Sequence, residues 1–259
     1  MIKTIKTMSK QEKERYTVPR KVQDVIPVRR IWPDGIFLTG NRFSKTYRFS
    51  DINYLVASRE DKESMFLTYS ELLNSLDSGA VTKITINNRR LNKANFETSI
   101  LMPIQGDFRD EYRGEYNQML LDKATGANGI MQEKYITISV VKKDVEEARA
   151  YFARVGADLI SHFAALGSKC VELDATERLR ILHDFYRQGE ESEFVFNARE
   201  MMKRGHSFKD YICPDGIEKN SDYLKLGDKF CRVLFLKDYA SYIKDNMVTE
   251  LTDFNRNLM

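Results

Sequence analysis

The chain has 259 residues, of which 42% are hydrophobic and 31% charged, and it contains five prolines. This composition is typical of a globular protein with a packed core, and it excludes an intrinsically disordered chain. The sequence has no stretch of 18 uninterrupted apolar residues, so it predicts no transmembrane helix, and its net charge of +3 is too small to indicate nucleic-acid binding by itself.

The first 25 residues form a basic amino-terminal arm, in which seven lysines and arginines stand against three acidic residues. Such an arm is either a solvated terminus or a surface attracted to anionic lipid, where each basic residue contributes about 1 kcal/mol. The basic residues of the arm are Lys3, Lys6, Lys10, Lys13, Arg15, Arg20 and Lys21.

Cysteine usage favours a cytoplasmic protein. The three cysteines form no Cys-x-x-Cys pair, and any disulfide would leave one of them unpaired. Buried thiols in a reducing compartment fit this pattern better than a disulfide framework.

The next segments predict a hairpin, a helix and a strand. Residues 36–49 predict a strand hairpin around Gly40 and Asn41, directly after a Pro-Asp-Gly turn. A helix is predicted over 60–76, because Ser58 and Asp61 form a capping pattern and apolar residues then recur every three or four positions. Residues 81–86 predict a short strand.

Residues 88–106 are predicted to be irregular in structure. A helix follows that Asp107 caps and that runs to about residue 120. Arg89, Arg90 and Lys93 in this irregular segment are candidate phosphate contacts. The equal alternative is that these residues form an exposed turn.

The strongest pattern begins at a β-branched strand, residues 134–141. A helix over 145–166 follows, a strand over 169–173, and a further helix that Asp174 and Glu177 cap. In chain order these elements give βαββαβ, so we expect an α+β fold with a ferredoxin-like unit over 26–187 and one helix inserted between its second and third strands.

An internal echo predicts a second unit. Residues 212–217 repeat the Pro-Asp-Gly pattern of residues 31–36, and matches then follow at a constant spacing of 187 residues. We expect residues 188–259 to hold a linker and the truncated start of a second, similar α+β unit, and the alternative is chance recurrence of a common turn before a strand. The matched pairs are Gly40 with Gly227, Phe43 with Phe230, Lys45 with Arg232, Phe49 with Leu236 and Asp51 with Asp238.

Motifs that carry chemistry are missing from the sequence. It has no phosphate-binding G-x-x-x-x-G-K-[ST], no H-E-x-x-H and no G-x-S-x-G, and its three histidines are never four residues apart. We therefore predict no catalytic, cofactor-binding or metal-binding residue in this chain. The βαββαβ pattern leaves a nucleic-acid-binding module as the alternative, although the strand at 134–141 has one aromatic residue and no RNA-recognition motif.

Three segments carry a resemblance to a known family: residues 133–141, residues 144–152, and residues 173–187 with the sequence LDATERLRILHDFYR. Together they resemble the amino-terminal region of conjugative (type IV secretion) ATPases of Gram-positive integrative elements, the CagE/TrbE/VirB family. The resemblance implies a non-catalytic assembly and docking region, with an ATPase motor that uses ATP and Mg²⁺ lying beyond residue 259.

The same resemblance implies a place in conjugative DNA transfer, as in conjugative transposons. Its expected partners are membrane-embedded components of the conjugation apparatus, neighbouring copies of the parent ATPase and an anionic lipid surface, with no small-molecule substrate. The expected location is cytoplasmic, peripheral at the inner face of the cell membrane.

Overall fold

The computed structural model of the protein describes residues 19–54, 56–90, 101–126, 130–191, 193–238, 241–242 and 247. No helix within these ranges is long and apolar enough to cross a membrane. The helices are α1 (Val22–Val25), α2 (Arg59–Asn74), α3 (Asp110–Gly126), α4 (Val145–Ala165), α5 (Ala175–Tyr186) and α6 (Ala198–Arg204), with a 3₁₀ turn at Phe208–Tyr211. The strands are β1 (Val28–Ile31), β2 (Phe37–Thr39), β3 (Arg42–Phe49), β4 (Val81–Arg90), β5 (Ile130–Val141), β6 (Cys170–Glu172), β7 (Ile217–Lys219), β8 (Leu224–Leu226) and β9 (Lys229–Cys231).

The larger sheet is antiparallel and has β3 at its centre. All eight residues of β3 pair with β5, and β4 pairs with the other edge of β5. The remaining edge of β3 is divided, because its first residues pair with β2 and its last residues pair with β6. The prediction of an α+β fold is therefore confirmed, with β1 and β2 extending the sheet beyond a simple four-stranded arrangement.

Two strands are longer than the sequence predicts. The predicted strand 81–86 continues to Arg90, and the predicted strand 134–141 begins at Ile130. The extra residues are largely polar, yet they pair with one another, for example Asn88 with Gln132. The prediction that residues 88–90 belong to an irregular segment is wrong. These residues continue the strand because the hydrogen bonds of a β-ladder join backbone groups and do not require apolar side chains.

Helix α4 forms the main core with β3 and β5. It begins at the N-cap Asp144, whose side chain accepts a hydrogen bond from the backbone of Glu147. One stripe of the helix is buried against the sheet, and Phe49 of β3 stacks on Phe163 with ring centroids 4.9 Å apart. The predicted helix over 145–166 is confirmed, and Ala148, Phe152, Val155, Leu159 and Phe163 are buried on the stripe.

A second core cluster lies on the other side of β1 and β2. Phe37 of β2 and Leu179 of α5 are buried there, and Phe194, Ile212 and Cys213 contribute to the same cluster. Residues between 194 and 213 thus pack against the elements that precede them.

Strands β7, β8 and β9 form a separate antiparallel sheet in that order. Its β8–β9 hairpin has the register of the β2–β3 hairpin at the spacing of 187 residues. Leu38 pairs with Phe43, and Lys225 with Phe230. The turn glycines, Gly40 and Gly227, have φ values of 60° and 56°. The Pro-Asp-Gly turns differ in position, because the first joins β1 to β2 and the second precedes β7.

The first Pro-Asp-Gly turn is held against the strand-to-helix junction that follows β6. Gly35 has a φ of 78°, and a Cβ atom at this position would overlap the carbonyl oxygen of Leu173. Gly35 is therefore required both for its backbone conformation and for the close approach of two backbone segments.

Alanine substitutions at Gly35 and Gly40 distinguish the cost of the backbone conformation from the cost of the close approach. Both glycines have positive φ, but a Cβ at Gly40 meets no atom within 4 Å. We expect Gly40→Ala to lower the free energy of unfolding by about 1–2 kcal/mol through backbone strain. Gly35→Ala should cost about 1–3 kcal/mol more, since the added atom overpacks the junction. Urea unfolding followed by circular dichroism measures both, and equal losses would contradict the close approach.

Candidate functional site

A buried polar group lies between β3, β6 and α4. The Lys45 ammonium donates a hydrogen bond of 2.6 Å to the Glu172 carboxylate, and the Tyr47 hydroxyl donates one of 3.4 Å to the carbonyl of Phe152. A Cβ at Gly156 of α4 would come within 2.8 Å of both the Tyr47 hydroxyl and a Glu172 oxygen, so this glycine makes room for the group. The ionic side chains here are paired, which is what a charged group needs when it is removed from water.

The thiol and phenol beside this ion pair remain protonated at neutral pH. Burial, followed by the charge of Glu172, raises the pKa of Cys170 to about 11. The same two causes, in the same order, raise the pKa of Tyr47 well above its ordinary value. Because a thiolate is the reactive form of cysteine, this group is suited to packing rather than to nucleophilic chemistry.

Arg178 of α5 joins the helix to the sheet from the opposite side. Its guanidinium donates hydrogen bonds of 2.7 Å to the carbonyls of Gly35 and Ser44, and it lies 4.0 Å from the ring centroid of Phe37. Desolvation lowers the pKa of Arg178 from its ordinary value, but an arginine that starts above 12 stays charged at neutral pH. The contacts identify Arg178 as a structural clamp on the first Pro-Asp-Gly turn.

His183 and Asp184 of α5 are both buried. The Nδ1 atom of His183 is 3.5 Å from an oxygen of Asp184, and its ring lies 5.1 Å from that of Phe194. Over the described ranges no group of three or more His, Cys, Asp or Glu side chains is placed to hold a metal ion. The His183 ring thus contacts Phe194 of the second core cluster, and Asp184 helps to line a small cavity of about 70 Å³.

The sheet face that would serve a nucleic-acid-binding module offers no stacking platform at β5. The aromatic residue of this strand, Tyr135, is only 4% exposed, and its hydroxyl donates a 2.7 Å hydrogen bond to Glu133. Base stacking on single-stranded nucleic acid needs an accessible ring, so this arrangement does not favour the nucleic-acid alternative.

The predicted basic contacts fall mostly outside the described ranges, where Lys3, Lys6, Lys10, Lys13, Arg15 and Lys93 lie. Arg20 and Lys21 are exposed just before α1, and their backbone amides donate to the Asp24 carboxylate at 3.2 and 3.1 Å. Arg89 and Arg90 lie at the end of β4, paired in the ladder with Met131 and Ile130. The structure therefore places Arg89 and Arg90 in a strand rather than in a turn.

The first exposed apolar surface lies on residues 101–126, which we call the excursion. It comprises α3 and the segment before it, and it lies between β4 and β5 in the chain. Its large apolar side chains face solvent: Phe108 is 83% exposed and Tyr112 69% exposed. The other exposed members of this surface are Met102, Ile104, Tyr116 and Met119.

Hydrogen bonds of the excursion's own residues fix its shape. The Arg113 guanidinium donates to the carboxylates of Asp107 and Asp110, each at 2.5 Å, and to Gln105 at 3.1 Å. The hydrogen bond from Arg113 is the main cause that lowers the pKa of Asp107, whereas for Asp110 the backbone amide of Gln105 contributes most. The apolar side chains are thus displayed on an ordered element.

The second exposed apolar surface is the β9 strip, by which we mean residues 229–236. It consists of β9 and the five residues that follow, Arg-Val-Leu-Phe-Leu. Leu234 is 82% exposed and Phe235 is 83% exposed, and β9 is the last strand of its sheet. β-branched and aromatic residues favour strand formation. A segment with high strand propensity therefore borders a sheet edge with which no other strand of the described residues pairs.

Comparison with known proteins identifies no relative: no protein-family model matches the chain, and no curated protein matches its sequence. The two apolar surfaces were not predicted as sites from the sequence. Their apolar residues have the spacing of ordinary helices and strands, and that spacing does not show whether a covering element is present.

The role of the hydrogen bonds between Arg113 and the carboxylates of Asp107 and Asp110 is testable by pH and by mutation. Because the pKa values of Asp107 and Asp110 are lowered, their carboxylates stabilise the excursion fully at pH values above their ordinary pKa of 3.8. This contribution is lost as the pH falls through the lowered values. We therefore expect the protection factors of the Gln105 and Gly106 amides, which donate to Asp110, to fall on acidification in this range.

At neutral pH, Arg113→Ala should speed exchange of the same two amides by about tenfold or more, because their acceptor loses its anchor. Arg109→Ala is the matched control, since the Arg109 side chain is exposed and lies over the Phe108 ring, and the substitution keeps the backbone amide that donates to Asp107. Hydrogen exchange followed by NMR measures both variants, and equal effects would show that Arg113 does not hold the excursion.

Proposed function

We propose that this chain is the non-catalytic assembly and docking region of a conjugative DNA-transfer (type IV secretion) ATPase. The resemblance of residues 133–141, 144–152 and 173–187 to that family supports the class of parent protein. The observation that carries the docking function is the exposure of Phe108, Tyr112 and their apolar neighbours on the excursion.

The composition of the excursion fits a protein partner. Aromatic residues, methionine and arginine are the residues that interfaces enrich, and they are also the commonest sources of binding free energy. Phe108, Tyr112 and Met119 supply them here, beside Arg109. Contiguous exposed apolar surface on a folded protein usually marks an interaction site.

The charge of the excursion argues against anionic lipid as its partner. Residues 101–126 contain five acidic and three basic side chains, so the excursion is acidic overall. An anionic bilayer surface repels such an element, whereas it attracts a basic one. We assign lipid contact to the basic arm instead, at the inner face of the cell membrane, and protein contact to the excursion.

We also infer that β6-β3-β5-β4, in that spatial order, form a ferredoxin-like unit with α2 and α4. The support is the order of connections: strand β3, helix α2, strand β4, strand β5, helix α4 and strand β6 follow one another in the chain. On this interpretation β1 and β2 are an added edge, and the excursion is an insertion between the second and third strands of the unit.

The motor of the parent protein, with its ATP and Mg²⁺ sites, belongs beyond residue 259 on this proposal. The chain described here then contributes the contacts that hold the motor to membrane-embedded components of the apparatus and to neighbouring copies of the ATPase. We assign the excursion to the membrane-embedded components, because Phe108 is 83% exposed and Tyr112 is 69% exposed on it.

The proposal is tested by replacing Phe108 and Tyr112 with serine in the parent gene and measuring DNA transfer from donor cells. Losing two aromatic contacts weakens an interface by about 2–4 kcal/mol, so we expect transfer to fall by about tenfold or more. The parent protein should stay at its normal cellular level, because both side chains are exposed.

Val56→Ser and Val195→Ser are the matched controls, since both valines are exposed apolar residues outside the excursion. They should leave transfer unchanged. Two results would contradict the proposal: unchanged transfer after disruption of the whole gene, or hydrolysis of ATP by the purified chain at about 1 s⁻¹ or more.

A further inference from the structure

We propose that the β9 strip binds an extended segment of another protein, which adds to the sheet as an antiparallel strand like β5. The proposal concerns how a partner binds, and it does not require the parent to be a conjugative ATPase. Another hairpin of the same chain supports this proposal. The β2–β3 hairpin has the register of β8–β9, and its strand β3 pairs with a further strand, β5.

The two hairpins have the same pairing register but differ at their outer edge. β3 runs for eight residues, and each of them pairs with β5. β9 runs for three residues, and within the described ranges no further strand pairs with its outer edge. Residues 232–236, which correspond to residues 45–49 of β3 at the spacing of 187, continue from β9 with exposed side chains.

The side chains of the strip match those that β3 buries. Phe43, Tyr47 and Phe49 of β3 pack in the main core, and Tyr47 has no exposed surface. Their counterparts are Phe230, Leu234 and Leu236, which are 69%, 82% and 61% exposed. An open edge with a row of large apolar residues favours pairing with another strand, both through its free backbone groups and through burial of those side chains.

Charge identifies the kind of strand that fits. In the first sheet the Lys134 ammonium of β5 lies 2.6 Å from the carboxylate of Asp51, just beyond the end of β3. The counterpart of Asp51 is Asp238, which is exposed just beyond the β9 strip. The expected partner is therefore an extended segment of alternating apolar residues, free of proline, with a lysine or arginine opposite Asp238.

A peptide with the sequence of residues 132–142 is the probe, because it contains Lys134 and all the residues of β5 that pair with β3. We expect saturable binding to the full 259-residue chain, followed by fluorescence anisotropy, with a Kd of about 10 μM. Leu234→Asp should weaken binding by about tenfold or more, whereas Val195→Asp, a change at another exposed apolar residue, should leave it unchanged. Circular dichroism verifies that both variants remain folded.

Two further comparisons separate strand addition from simple apolar adhesion. Peptides methylated on the backbone nitrogens of alternate residues should differ, because one series removes the donors that face the β9 edge and the other removes donors that face away. The chain with Asp238→Lys should bind the natural peptide more weakly and regain affinity for a peptide that carries Lys134→Glu.

The proposal is overturned if the peptide shows no saturable binding up to about 1 mM. It is also overturned if both methylated series bind equally, or if the charge exchange restores nothing. Sedimentation equilibrium provides the last test: a dimer of the chain that Leu234→Asp dissociates would identify a second copy as the occupant instead. None of these outcomes depends on DNA transfer, so this proposal and the docking function of the excursion fail separately.

Discussion

Strand β3 makes hydrogen bonds along both of its edges, and the main sheet is assembled on it. One edge pairs with β5 over all eight residues, while the other is shared between β2 and β6. Its side chains then define two compartments, because successive residues point to opposite faces. Phe43, Tyr47 and Phe49 face α4, and Ser44 on the other face accepts the Arg178 hydrogen bonds from α5.

This central strand also explains how distant parts of the chain are joined. Arg178 contacts Gly35 and Ser44 together, so the first Pro-Asp-Gly turn, the start of β3 and helix α5 are held by one guanidinium. Helix α5 in turn buries Leu179 in the cluster that includes Phe194 and Ile212. The segment after residue 187 is therefore anchored through α5, and the second sheet follows from an anchored position.

The regular part of the fold was predictable from the sequence because its burial and its periodicity agree. The stripe of α4 illustrates this, since its apolar residues are buried in the same core cluster as residues of β3 and β5. Polar ends of strands were not predictable in the same way. Asn87 and Asn88 are buried at 6% and 3% exposure through pairing with β5, although their side chains give no strand signal.

The candidate surfaces show the opposite case, in which the apolar pattern was visible and its exposure was not. Tyr112, Tyr116 and Met119 have helical spacing that fits either a buried face or a displayed one. Arg178 was not singled out either, because its partners are backbone carbonyls of residues more than 130 positions away. Contacts of this kind depend on the tertiary arrangement, which local spacing does not specify.

The two matched hairpins isolate what a sheet edge needs in order to be complete. Both have the same two-residue turn, the same register and a large apolar residue at the same position, Phe43 or Phe230. Phe43 is 6% exposed and Phe230 is 69% exposed, so the hairpin itself does not bury this side chain. β3 is paired with β5 along one edge, and Phe43 packs in the main core, where its ring lies 5.8 Å from that of Trp32. On our proposal a partner strand supplies comparable cover to the β9 strip, whose outer edge pairs with no other strand of the described residues.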